Sequence, residues 1–373
     1  MTISTMRAAR MHDVGKAMQI ETLPLPEPGP GEVRVAVHAC NVVPNLANVL
    51  SNWTTWFPQN PLPTLPAIFG LDPAGVVDAV GPGVDESRIG ERVYVNPGRV
   101  CTTCRACRDG YPTTCESYAF AGYFGFTPSS PALLDRYSGG LAEYMIAPQY
   151  ALVGLADDTE FEAAARFGYL GTMYSALHKL DPQPGQTLLV NGISGTLGIG
   201  AALLAPQLGV TTIYGTGRDR ALLDRVRALC PDRIRTHSLH DGPVEEWIAR
   251  ETDGRGADLY VDALGPGAPH STFLGGLRSL ARGGRAVNIG AIAGEIPIDV
   301  HSMMDGQQSL IGSVWFTPAE GQAMSDMAAV GALDLSVLEH RRYPLESVNE
   351  AISQVDGSRA GGFANFVVCP TRP

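Results

Sequence analysis

Along the first 150 residues, apolar and polar positions alternate in short bursts broken by glycine and proline. Val33-Arg34-Val35-Ala36-Val37-His38 alternates with a period of two, the spacing that gives a strand one core face and one wet face. Arg92-Val93-Tyr94-Val95 reads as a further strand, and Gly70, Gly75, Gly81, Gly83 and Gly90 punctuate the stretch between. This half predicts a β-barrel-like domain. Near Asp157 the period changes. Residues 160–179 carry apolar side chains at helical spacing, and Thr187-Leu188-Leu189-Val190 follows as a short run suited to a strand buried on both faces. A glycine turn over 192–198 then leads into an apolar helix predicted over 199–208. Strand, turn and helix recur around 212–214, 259–261 and 286–289. Such alternation predicts an α/β doubly wound parallel sheet. Beyond Phe316 the pattern is mixed, with a helix predicted over 345–355 and a closing strand at 366–368.

A chain of 373 residues has room for two domains and a large core. With 45% hydrophobic and 17% charged residues it has an ordinary globular balance. A formal net charge of −11 without a basic cluster argues against a nucleic-acid partner. No apolar run approaches the roughly 20 residues that span a bilayer. The 43 glycines and 28 prolines are spread out, as turns are, and form no repeat or low-complexity linker.

One cluster changes the picture. Cys101, Cys104, Cys107 and Cys115 lie in the run CTTCRACRDGYPTTC, a C-x2-C-x2-C-x7-C spacing. Four thiolates so placed can close a tetrahedron around one Zn²⁺ and leave no position open for substrate, which marks a structural ion. Two disulfides are the alternative. The opening MTISTMRAARMHDVG has no apolar segment of an export signal, and only Cys40, Cys230 and Cys369 lie elsewhere. A reducing, cytoplasmic setting and zinc are therefore the expectation.

Gly192, Gly195 and Gly198 are spaced G-x-x-G-x-x-G directly after a predicted strand and at the mouth of a predicted helix. Glycines there permit a tight turn and close approach of a pyrophosphate, and the helix start offers unbonded N–H groups. Ser194, Thr196 and Leu197 complete the turn, and Leu264, Gly290 and Ala291 are further expected cofactor contacts. The end of the next strand selects the dinucleotide. NAD-binding versions place an acid there for the ribose 2′-hydroxyl. Here the run is Thr216-Gly217-Arg218-Asp219, with Gly217 in the acidic position. A hydroxyl at Thr216 and a guanidinium at Arg218 suit a 2′-phosphate, hence NADPH. A register one residue later would put Asp219 in the selecting place.

With these motifs the chain resembles the medium-chain dehydrogenase/reductase superfamily, the zinc alcohol dehydrogenase relatives, over nearly its full length. The cysteine quartet resembles that family's structural zinc lobe. Gly70-Leu71-Asp72-Pro73-Ala74-Gly75-Val76-Val77-Asp78-Ala79-Val80-Gly81 is similar to its G-H-E-x-x-G-x-V-x-x-V-G, Gly90-Glu91-Arg92-Val93 to its G-D-R-V, and Gly139-Gly140-Leu141-Ala142-Glu143-Tyr144 to its G-G-x-A-E-Y. The resemblance implies a GroES-like β-barrel catalytic domain over 1–156 and 316–373, with the zinc lobe at 98–118, and a Rossmann domain over 157–315. It also implies a homodimer joined along a strand near 311–316. The family's three catalytic-zinc ligands fall on Val43, Leu71 and Gly168, none of which carries a donor atom. Cys40 aligns with a non-ligand cysteine, and the relay hydroxyl becomes Asn45. The resemblance therefore implies a member that keeps its structural zinc and has lost its catalytic zinc.

Without a Lewis acid, a plain carbonyl loses several kcal/mol of charge stabilisation. An enone or an iminium depends on the metal less, because an enolate spreads the charge or because the iminium is already electrophilic. The expected function is an NADPH-dependent reductase of an activated C=C or C=N bond in a small molecule. A metal-free carbonyl reductase or alcohol dehydrogenase and a non-catalytic NADPH sensor are the alternatives. Tyr169, beside Gly168, is a candidate proton donor, with a satisfied core phenol as the bland alternative. Asn45 is a candidate hydrogen-bond donor or a plain turn residue. Asp72 is a buried, paired structural carboxylate or a candidate general base. Trp53, Trp56 and Leu71 are expected to wall a hydrophobic pocket, or to pack as a loop on the barrel. The aromatic stretch 118–137 either reaches that pocket or covers an interface, and His178 lies too far along its helix to take part.

Overall fold

The computed structural model describes residues 4–357 and 360–371, without the side chains of Trp56, Asp356 and Gly357. The described residues fall into two compact units. The barrel unit runs to Gly168 and resumes from Thr317, and the sheet unit spans Tyr169–Phe316 with Ala360–Phe363.

In the barrel unit a seven-stranded sheet is built on Glu32–Asn41, whose side chains alternate between buried and half-buried as the period of two requires. This strand pairs antiparallel with Pro73–Val80, Tyr144–Pro148 and Ala364–Cys369. Arg92–Val95 and Leu152–Gly154 extend one side, and Glu339–Pro344 lies parallel to Ala364–Cys369 at the other edge. That edge strand, EHRRYP, gave no sequence signal because none of its side chains is fully buried. A hairpin of Thr5–Met11 and Gln19–Pro24 adds a second small sheet with Ala67–Ile68. The two-stranded ribbon of Gly98–Arg99 and Ala119–Phe120 pinches off the cysteine loop at its base.

The helix expected over 160–179 is two helices, Phe161–Ala164 and Phe167–Leu180. Between them the Arg166 N–H turns to the Ala163 carbonyl in a tighter loop, and the Arg166 side chain goes into the interior. Phe161 and Ala165 pack on Ala39 and Val367 of the barrel sheet. The chain stays in the barrel unit until Gly168, beyond the boundary at 156 that the resemblance implies.

The sheet unit holds six parallel strands in the order Ile234–Ser238, Thr212–Gly217, Thr187–Asn191, Ala257–Asp262, Leu280–Asn288, Ser309–Gly312. The apolar run at 187–190 is indeed a central strand with every residue buried. Helices carrying Val244, Trp247, Ile248, Phe273 and Leu277 pack with Leu189, Tyr214 and Tyr260 in its main core. From Thr187–Asn191 the chain builds outward on one side, then crosses to Ala257–Asp262 on the other. The carboxyl ends of these two strands mark the switch point, where open α/β sheets bind ligands. The helix expected over 199–208 is Gly198–Leu204, followed by a 3₁₀ turn Ala205–Leu208, because Pro206 cannot continue the α-helical ladder. The last strand ends at Gly312, so Trp315 and Phe316 lie outside it. No helix among the described residues is long and apolar enough to cross a membrane.

Candidate nucleotide and metal sites

The four cysteines of the pinched-off loop converge: their sulfur atoms all lie within 4.8 Å of one another. Cys104 Sγ and Cys115 Sγ are 3.9 Å apart, close to the roughly 3.8 Å edge of a tetrahedron with Zn–S bonds of 2.3 Å. N–H groups of the loop already point at sulfur. Cys101 N–H donates to Cys115 Sγ (3.2 Å), Cys104 N–H to Cys101 Sγ (3.3 Å) and Ser117 N–H to Cys115 Sγ (3.4 Å). Donors so placed favour thiolate over thiol, and zinc needs thiolates. The donor set and spacing fit a tetrahedral zinc.

A second constellation lies in the barrel interior. Asp72 is 0% exposed and sits at φ 62°, in the left-handed region that a non-glycine residue seldom occupies. Its Oδ1 accepts from the Tyr94 hydroxyl at 2.6 Å, and its Oδ2 has no hydrogen-bond partner. Burial pushes its carboxyl up to about 7, opposed by the Tyr94 hydrogen bond and by the positive charge of Arg166. A Cβ on Gly168 would stand 2.2 and 2.3 Å from the two carboxylate oxygens. Asp72 therefore fills the space that any side chain at 168 would need. Val43 and Leu71 are buried. The Cys40 thiol is buried too, donating to the Leu71 carbonyl at 3.2 Å.

Asn45 is partly exposed just before the short helix Leu46–Ser51 and accepts from Asn48 Nδ2 at 3.1 Å, leaving its own amide N–H groups to other partners. Tyr169 is half-buried and follows Gly168 in its helix. The Trp53 ring stacks on Phe124 at 4.2 Å and meets Phe57 at 4.5 Å, so the two aromatic stretches form one cluster. Trp56 lies in the short helix Trp53–Trp56, but its side chain is outside the described residues. His178 is exposed, its ring against Tyr174.

In the sheet unit the glycine turn sits at the switch point. Gly198 begins the helix with its Cα so close to the Gly192 carbonyl that a Cβ would lie 2.1 Å from that oxygen. Ser194, Gly195, Thr196 and Leu197 form the half-exposed rim. Leu264, Gly290 and Ala291 come together beside it: the Ala291 N–H donates to the Leu264 carbonyl at 2.9 Å, and Gly290 lies against the same oxygen. At the end of the next strand Gly217 faces Ser194, and Arg218 is exposed. Asp219 accepts from Leu222 N–H as the cap of helix Arg220–Leu229. Thr216 differs from the expectation. It is 0% exposed and its hydroxyl donates to Asn191 Oδ1 at 2.8 Å, within a strand that is buried from Ile213 to Gly217.

Thr216 belongs to a network that sequence reasoning missed. Asn191 Nδ2 donates to the Tyr260 hydroxyl (2.8 Å), which donates to Asp262 Oδ1 (2.9 Å). Burial holds the Asp262 carboxyl above its ordinary range. The signal was available as polar residues closing apolar strands, Asn191 after LLV and Asp262 after LYV. Arg166, inside AAARFG, was a similar clue to the Asp72 site.

The glycine-turn unit and the cysteine lobe both have close counterparts. Residues 29–157 match the model of the alcohol dehydrogenase GroES-like domain, and residues 196–329 match that of the zinc-binding dehydrogenase. An alcohol dehydrogenase of Geobacillus stearothermophilus is 30% identical over 94% of this chain and 96% of its own length. The chain belongs to the medium-chain dehydrogenase/reductase superfamily. A sorbitol dehydrogenase of Bacillus subtilis (strain 168) is 27% identical over 94% of this chain and 93% of its own. A solved NAD-dependent alcohol dehydrogenase superposes with a TM-score of 0.81 at 27% identity, over 98% of this chain and all of that one. As a member of this superfamily the chain is a zinc-binding, alcohol dehydrogenase-type oxidoreductase with a Rossmann-like sheet and a GroES-like barrel.

Proposed function

We propose that this oxidoreductase uses NADPH, works without a catalytic zinc, and reduces an activated C=C or C=N bond in a hydrophobic or ring-bearing substrate. The observation that carries the reading is Asp72 in the space at Gly168. At the three positions where the superfamily resemblance puts metal ligands, Val43 and Leu71 offer buried hydrocarbon and Gly168 offers no side chain. That donor set does not fit Zn²⁺. The four lobe cysteines would hold the single structural ion, which stiffens their loop.

NADPH supplies a hydride when bound. The chain's part is to hold it and to manage the substrate's charge and proton. Gly192, Gly195 and Gly198 give the pyrophosphate close access to backbone N–H groups. Gly217 leaves no carboxylate at the selecting position, Asp219 caps the helix Arg220–Leu229, and exposed Arg218 is the proposed partner of a 2′-phosphate. Hydride addition at a β carbon puts charge on the substrate oxygen, and Tyr169 or Asn45 supplies the hydrogen bond or proton there. Trp53 and Leu71 shape the apolar side of the pocket. A metal-independent carbonyl reductase is the second reading, favoured by the alcohol and sorbitol dehydrogenases among the relatives. A homodimer along the edge strand Ser309–Gly312 and a cytoplasmic setting complete the proposal.

The test is NADPH and NADH oxidation against enones, iminium compounds and aldehydes, with zinc measured on the same preparation. One zinc per chain, preference for NADPH and faster enone or iminium turnover are expected. Two zinc ions per chain would sink the zinc-free reading. Faster aldehyde turnover would favour the second.

A further inference from the structure

At the base of the cysteine lobe a positive charge is buried without an anion beside it. Arg99 ends the strand Gly98–Arg99 two residues before Cys101, in register with Ala119 of the returning strand. It is 0% exposed. Its Nη1 donates to the carbonyls of Asn96 (2.6 Å) and Gly98 (3.3 Å). Nε and Nη2 have no hydrogen-bond partner and less than 1 Å² of surface each, which leaves no room for water or an ion against them. The groups around the guanidinium are Tyr94, Tyr118, Tyr137 and Tyr150, the Tyr137 ring lying 5.1 Å away. Glu32, which accepts from Tyr137, is already taken by Arg136. A guanidinium so buried and unpaired is costly unless something compensates it.

Two of these tyrosines also hydrogen-bond to the cysteine segment. The Cys115 carbonyl accepts the Tyr118 N–H at 3.0 Å. Val100, between Arg99 and Cys101, donates its N–H to the Tyr150 hydroxyl at 3.3 Å. Zinc bound by four thiolates carries two net negative charges. Arg99 and Cys101 are two residues apart, which keeps their Cα atoms within about 7 Å of each other, and charge acts more strongly in a low-dielectric interior than in water. We infer that Arg99 is the buried counter-charge of the tetrathiolate zinc centre, acting through the tyrosine layer as a positioning residue for the metal. Zinc then compensates a cation that the barrel edge has buried, and the cation in turn tightens the hold on zinc.

Zinc affinity by chelator competition, with circular dichroism to confirm folding, tests this on the full chain with Arg99→Lys, Arg99→Gln and Arg99→Met. A charge role keeps Lys within about threefold of the unaltered chain and weakens Gln and Met by about tenfold or more, the usual size of an outer-shell effect. A folded Met or Gln variant that holds zinc as tightly as the parent overturns it. If the apolar Met variant does not fold, the Lys–Gln pair still separates charge from packing. Absence of zinc from the unaltered chain overturns the inference by removing the ion itself.

Discussion

Asp72 makes stability depend on pH. Its folded-state value of about 7 stands above the unfolded value near 3.9. The folded chain therefore holds this proton more tightly, and the stability it brings is fully present below about pH 4 and lost as pH rises through about 7. The difference corresponds to an upper bound on the order of 4 kcal/mol. Replacing Asp72 by Asn is expected to flatten the fall of melting temperature between pH 5 and pH 8, and parallel curves for the two proteins would refute the assignment. Gly168→Cys, which restores a ligand type, is expected to destabilise by about 1–3 kcal/mol through overpacking against Asp72, read by denaturant titration. At the nucleotide end, Arg218→Ala is expected to raise KM for NADPH about tenfold or more and to leave KM for NADH within about twofold, since only the 2′-phosphate loses a charge-assisted partner. Equal changes for both cofactors would count against the NADPH reading. The identity of these residues was legible in the sequence, but the use of their atoms was not. Thr216 was expected at the nucleotide and Asp219 only in a register one residue later, whereas the Thr216 hydroxyl donates to Asn191 and Asp219 caps a helix.

Elements formed wherever one face had to be buried and the periodicity said so. The alternating strand at 32–41 was readable for that reason, and the central strand at 187–191 because its unbroken apolar run suits burial on both faces. Elements held by edges or by single backbone events were not. The break at Ala165 and Arg166 and the 3₁₀ ending imposed by Pro206 are single backbone events, and the polar strand Glu339–Pro344 is held by its pairing with Ala364–Cys369. The glycine-turn element is sterically tight. Gly198→Val would drive a side chain into the Gly192 carbonyl, 2.1 Å from where its Cβ begins. This variant is expected to abolish dinucleotide binding in a fluorescence titration while far-ultraviolet circular dichroism stays near that of the parent, and wild-type affinity would exclude the turn as the site.

The whole chain divides into a barrel unit that carries the cysteine lobe and a sheet unit that carries the glycine turn. Ligands that bind one folded unit stabilise that unit by mass action. Scanning calorimetry is thus expected to show zinc chelation lowering one transition and NADPH raising another. Strictly common shifts would mean that the two unfold as one. By itself the sequence determined the family, the cysteine spacing, the glycine spacing over 192–198 and the donor-free side chains of Val43, Leu71 and Gly168, because each is a matter of residue type at fixed spacing. Only the tertiary structure decided what occupies the place at Gly168, which polar groups remain free, and that Arg99 is buried beneath the lobe. Those depend on groups far apart in the chain arriving within a few ångströms, where burial and hydrogen bonding set their charge and availability.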